Sequence, residues 1–224
     1  MFLRAEWHYP RNLISLAEFV NLPDFPAALH KFIYQQHHPS RSELPQVIDE
    51  SFNGPVRVFH SATAVFYAPS DLCGSGGMCR EVIRANPDHG GTPRFDTVLV
   101  SVGGRDEGMQ GLLVARIQLL FSYFDLYQGK NIPCALVSWF VHPNNTPTRD
   151  PDTHMWVVTP ESDDDGHQPV QVIHIDTILR GIHLLPCYGR GFIPEDFLYI
   201  DALNAFDTYF VNQFIDYHAH ELLS

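Results

Sequence analysis

The chain has 224 residues, is 45% hydrophobic and carries a formal net charge of −12 with histidine counted neutral. That length buries a sizeable core in one or two domains. The charge excludes a general nucleic-acid clamp, which needs clustered Lys and Arg to displace counterions, and no apolar stretch is long enough to span a bilayer as a helix.

From the N-terminus, residues 12–36 read as two short helices. Leu13, Leu16, Phe19 and Val20 recur at helical spacing, and Phe25, Leu29, Phe32 and Ile33 form a second stripe behind Asp24 and Pro26. Residues 1–40 are therefore expected to be helical, and the polar, Pro- and Gly-punctuated 41–55 a linker. From Val56 the period changes to that of strands. Strands are expected at 56–69, 95–102, 112–124, 132–142, 154–160 and 169–175. The intervening 70–94 is expected to be mainly loop with a helical turn at 78–84, and 176–189 a helical turn followed by a short strand. Residues 56–200 thus form one antiparallel, barrel-like β module. In 201–224 the residues Leu203, Phe206, Phe210, Phe214 and Tyr217 return to helical spacing, which predicts one long C-terminal amphipathic helix capped by Asp201. The fold class is α+β.

Few side chains assemble into a recognisable chemical site. The loop "CGSGGMC" (73–79) matches no phosphate-binding fingerprint, and reads as a glycine turn. The spacing of Cys73 and Cys79 is wider than that of a zinc knuckle. With four cysteines in all, the composition points to a reducing compartment rather than a disulfide scaffold. His174 and Asp176 point the same way on a strand and supply two thirds of a 2-His-1-carboxylate iron site, with His183, His218 or His220 as the third ligand. The plainer reading is a strand-end histidine and an aspartate capping the next turn. No cofactor and no catalysis are expected, and the acidic run "ESDDDG" (161–166) reads as a solvated loop.

The aromatic-rich pair 112–124 and 132–142 poses a sharper question. On a strand through 134–141, Cys134, Leu136, Ser138 and Phe140 face one way and Ala135, Val137, Trp139 and Val141 the other. One face fills a core. The other is expected to present Tyr123, Phe124, Trp139, Phe140 and Trp156 as a binding surface. An acidic protein with such a surface prefers a basic peptide, such as a histone tail, to bare DNA.

The strings "HSATAVFYAPSDLCGSGGMCREVIRA", "DTVLVSVG", "GLLVARIQLLFSY", "CALVSWF" and "VIHIDTILRGIHLLPCYG" resemble the C-terminal segment of basidiomycete Plavaka-type proteins, CACTA-like DDE transposases. The resemblance runs from about Leu13 to Glu221. It implies a nuclear, chromatin-associated setting and places the catalytic RNase-H-like domain upstream, as though this chain were the tail of a longer one. None of that domain's metal-binding carboxylates maps here, so the resemblance implies a non-catalytic accessory module, with a decayed transposon remnant or a metal-dependent enzyme using His174 and Asp176 as the alternatives. The run "DTVLV", "VARIQLLF", "ALVSWFVHP", "MWVV", "IHIDTILRGIHLLP" is also similar to a bromo-adjacent homology (BAH) module, which implies a β-barrel.

Overall fold

A computed structural model describes residues 2–6, 8–39, 52, 54–69, 75–102, 108–188, 193 and 197–224. Cys73 and most of the 41–55 linker lie outside these residues. The elements of the N-terminal half are β1 (Phe2–Glu6), α1 (Leu13–Phe19), α2 (Phe25–His37), β2 (Val56–Tyr67), β3 (Met78–His89), β4 (Thr92–Phe95) and β5 (Thr97–Ser101). There follow α3 (Gly108–Gly111), β6 (Leu112–Asp125), β7 (Lys130–Val141), β8 (Trp156–Pro160), β9 (Val170–His174), β10 (Ile178–Gly181), β11 (Leu184–Pro186), β12 (Tyr209–Val211) and α4 (Tyr217–Leu223). Among the described residues no helix is long and apolar enough to cross a membrane.

The long β6–β7 hairpin is the spine of one antiparallel sheet in the order β11-β12-β8-β7-β6-β2-β3-β4, with β1 on β2, β5 on β6, β10 on β5 and β9 on β7. Its turn is held by Asp125, whose carboxylate accepts the N–H groups of Tyr127 (2.8 Å) and Gln128 (3.2 Å), and by Gly129 at φ 64°, a conformation a side chain would resist. The strands do not close into the expected barrel. β10 approaches β2 and β3, but no ladder joins them among the described residues.

Both faces of the spine are buried, which is why its strands read as nearly continuous apolar runs. On one side α1 and α2 pack Leu16, Phe25 and Leu29 against Phe121, Tyr123, Cys134 and Leu136. Phe25 meets Phe121 edge-on with ring centroids 4.9 Å apart. On the other side Ala115, Ile117, Leu120, Ala135 and Val137 meet residues of β2, β3, β5 and β10. Ile117 and Leu120 share a face although they are three positions apart in the strand. A register shift between Ile117 and Leu119 puts one extra residue, Gln118, into β6. The freed Gln118 amide donates to Ser138 Oγ at 3.0 Å.

The two N-terminal helices form as expected. Asn12 caps α1 by accepting from the N–H groups of Ile14 and Ser15. Asp24 stands at the cap position of α2 without a side-chain capping bond, and Pro26 in the first turn supplies the helical φ instead.

Three expectations are corrected. Residues 78–84 are not a helical turn but part of β3, where Cys79, Ile83 and Ala85 face inward and Arg80 and Val82 outward. Glu81 breaks the alternation on the inner side, where its carboxylate accepts the Gly181 N–H at 2.9 Å. Residues 201–224 do not form one long helix. They hold a 3-10 turn at Tyr199–Asp201, strand β12 and the two-turn helix α4. The Thr-Tyr-Phe-Val run favours a strand over a helix, and β12 gains ladders on both edges, with β8 and β11. Finally, the N-terminal residues contribute β1, paired to β2.

The Tyr123 side chain is fully buried, and its hydroxyl has no hydrogen-bond partner among the described residues. Burying a hydroxyl unpaired costs roughly 1–3 kcal/mol. Tyr123→Phe is therefore expected to raise stability by about 1 kcal/mol, read as a higher urea midpoint with an unchanged m value.

Candidate functional site

The five aromatics expected to form one surface are dispersed. Tyr123 belongs to the core under α2, where it meets Phe32 and Phe52 edge-on. Burial, with Cys134 and Asp125 nearby, pushes its phenol far above the ordinary value, so it takes no part in proton transfer near neutrality. Phe140 packs against Tyr209 in a third cluster, beneath β12 and α4. Trp156 sits at the rim of that cluster, where its indole N–H donates to the Leu223 carbonyl at 2.8 Å. The Arg149 guanidinium lies 4.1 Å from its ring, so the ring face is already occupied by a cation of this chain. Phe124 stands near the hairpin tip, 36% exposed. The surface reading therefore fails for Tyr123, which α2 covers, and for Phe140, which lies beneath β12 and α4.

Trp139 is different. Its ring packs in the second core cluster, yet the residue also lines a groove of about 170 Å³ between α2 and β9, together with Lys31, Phe32, Gln35, Glu161 and Gln171. The space is below that of a drug-sized pocket and holds one or two side chains. The indole N–H donates to Gln171 Oε1 at 2.8 Å, which fixes the ring against the strand.

The ladder explains how the acidic run comes to lie beside this tryptophan. β8 pairs Pro160 with Phe140, and β9 pairs Val170 with Ser138. The two are one antiparallel track along β7, interrupted by residues 161–169 opposite Trp139. At the break, the Glu161 N–H donates to the Trp139 carbonyl at 2.9 Å. The ejected loop is organised from within. Asp163 accepts the N–H groups of His167 (2.7 Å) and Asp165 (3.1 Å), and Gly166 takes φ 80°. Asp164 and Asp165 are exposed, and their carboxylates accept no hydrogen bond among the described residues. The groove is thus walled by Ala28, Lys31, Phe32 and Gln35 of α2 on one side and by Glu161, Pro169 and β9 on the other, with Glu161 the one carboxylate among its described lining residues. Lys31 is its one lysine or arginine. Lys31, Gln35 and Gln171 carry no signal in the sequence, and Glu161 enters it only as the first residue of the acidic run. The available signal was a nine-residue acidic insert between two strand-like runs that share one partner strand.

The metal readings do not assemble. His174 Nδ1 accepts the Asp176 N–H at 3.2 Å, capping the 3-10 turn that follows β9. His218 stacks on Phe66 with ring centroids 4.8 Å apart, and His220 on Phe214 at 5.8 Å, while His183 lines a different surface. Among the described residues no three His, Cys, Asp or Glu side chains gather as a metal site. Cys79 is buried within β3. Burial likewise pushes the Cys134 thiol strongly up, which makes it a packing residue rather than a nucleophile.

No family model, no curated protein and no solved structure matches this chain.

Proposed function

We propose that this chain is a non-catalytic interaction module that binds a basic peptide in the groove between α2 and the 161–169 loop. The observation that carries the reading is the acidic loop ejected from the β8–β9 track opposite Trp139. In this geometry a lysine or arginine stem lies in the groove against Trp139 while its charged head meets Glu161, Asp164 or Asp165. The net charge of −12 adds a long-range attraction for a cationic partner. The resemblance to the Plavaka C-terminal segment and to a BAH module supports a chromatin setting, and with it a histone tail as the partner class and the nucleus as the compartment. It also supports a BAH-like ancestry for the antiparallel sheet. An inert remnant and a metal-dependent enzyme are the readings this one displaces.

The test measures binding of fluorescent histone-tail peptides by anisotropy at low and physiological salt. In the variant E161Q/D164N/D165N, with Asp163 kept because it organises the loop, affinity is expected to fall by about tenfold or more, and the salt dependence to flatten. Equal affinity in wild type and variant, or no binding by wild type at all, would overturn the proposal, and the second result would favour the remnant.

A further inference from the structure

A second surface carries the opposite chemistry. β2 runs under the helices with Val56 and Val58, then projects beyond them as a hairpin with β3. Its inner face, with Ala62, Ala64, Cys79 and Ile83, is buried. In the ladder Thr63 lies opposite Val82, Val65 opposite Arg80, Tyr67 opposite Met78 and Ser61 opposite Arg84. Directly opposed residues share a face, so these side chains form one outer surface. No helix covers it. Val65, Tyr67, Met78 and Val82 are 44%, 62%, 44% and 42% exposed. Four large apolar side chains gathered on one bare sheet face are a patch of the kind that marks an interaction site, unlike single exposed residues.

Charge says what fits it. Among the described residues of β2 and β3 no carboxylate falls on this face, because Glu81 points inward to the Gly181 N–H and the neighbouring Asp96 is engaged by Arg94 at 2.8 Å. Arg80 and Arg84 stand among the apolar groups, and neither is in an ion pair among the described residues. In a chain with 26 acidic and 14 basic residues, two strands whose described outer side chains include two arginines and no acid are locally inverted. We propose that the outer face of the β2–β3 hairpin docks an acidic segment of a partner protein in which apolar and carboxylate side chains alternate. Apolar residues of that segment lie over Val65, Tyr67, Met78 and Val82, and its carboxylates meet the two guanidinium forks. The surface is separate from the Trp139 groove, so the module presents one face for a basic partner and one for an acidic partner.

The probe is a fluorescent peptide of alternating leucine and glutamate, about ten residues long, which spans the hairpin at ~3.3 Å per residue. Its leucine–lysine counterpart is the control. Wild type is expected to bind the leucine–glutamate peptide, and R80E/R84E to bind it about tenfold more weakly or worse while keeping the wild-type melting temperature, since both guanidinium groups stand on the surface. Y67S/V82S is expected to weaken it with the charges intact. Failure of wild type to bind, or undiminished binding by R80E/R84E, overturns the proposal. So does a wild-type dimer in sedimentation that Y67S/V82S dissolves, because the occupant is then a second copy of this chain. The acidic-loop variant E161Q/D164N/D165N binds the probe like wild type, which separates this result from failure of the basic-peptide groove.

Discussion

Phe121→Ala is expected to destabilise the protein by about 3–5 kcal/mol, the range for truncating a fully buried phenylalanine. Phe121 has no exposed surface and stands at the centre of the interface where α2 covers the sheet. The loss removes the edge-on contact with Phe25 and opens a void in the core cluster that also holds Leu16, Leu29, Leu119 and Cys134. Those residues sit on two helices and two strands that are pinned elsewhere, so collapse around the void is limited. Urea unfolding followed by far-UV circular dichroism reads the change as a lower midpoint at constant m. Ile14→Ala is the internal comparison. Ile14 lies on the outer side of α1 and is 55% exposed, and its truncation is expected to stay within about 0.5 kcal/mol. A loss below about 1 kcal/mol at Phe121 would mean that α2 does not dock on this face of the sheet in solution.

That interface was legible from the amino-acid sequence, because Phe25, Leu29, Phe32 and Ile33 repeat at helical spacing and nothing competes with a helix there. The β6–β7 hairpin was legible as strands, and on β7 the alternation of Cys134 and Leu136 against Ala135, Val137 and Trp139 was legible as faces, but the faces of β6 were not. An extra residue at Gln118 changes which side chains point where, and burial on both sides erases the polar half of the alternation that would have revealed it. β3 was hidden for a related reason. Its inward Glu81 is satisfied by a backbone N–H one hundred residues away, a contact that no local pattern contains. The C-terminal region was misread because Leu203, Phe206 and Phe210 mimic a helical stripe by spacing alone. The deciding contacts are the ladders of β12 with β8 and β11, again long-range. At the candidate groove Trp139 was found from composition, but Glu161 and the rest of the acidic loop were set aside as solvated surface. Their proximity to Trp139 follows only from β8 and β9 sharing one partner strand.

The second large effect is expected at the latch that holds α4 to the sheet. Arg180, on β10, is 3% exposed. Its two terminal nitrogens donate to the two Asp216 oxygens, one at 2.8 Å, and its Nε donates to the Gly181 carbonyl at 3.1 Å. The guanidinium also lies over Phe66 at 5.0 Å and meets His218 Nδ1 at 3.2 Å. Asp216 is at the same time the N-cap of α4, accepting the Ala219 N–H at 2.7 Å. One carboxylate therefore links the buried cation to the start of the helix whose far end anchors Trp156. Removing one partner of such a pair leaves the other uncompensated, a loss of about 3–5 kcal/mol. Asp216→Ala is expected at the low end of that range, because the carboxylate is partly open to solvent and Arg180 then recovers some hydration. Arg180→Ala and the double variant complete a cycle in which the double variant loses less than the sum of the singles.

The pH dependence has a definite sign. Burial pushes the Asp216 carboxyl up, but Arg180, the Ala219 N–H and the charge of Arg180 together outweigh it and hold the group below its ordinary value. A carboxyl depressed in the folded state contributes stability that is complete above its unfolded value, about 3.9, and is lost as pH falls through the lower folded value. Wild type is thus expected to lose stability more steeply below about pH 4 than Asp216→Asn. Matched urea titrations at neutral and acidic pH measure the difference. Additive losses in the cycle, or identical acid limbs for wild type and Asp216→Asn, would show that α4 is held by its apolar contacts, Ala219 and Leu223, and not by the Arg180 latch.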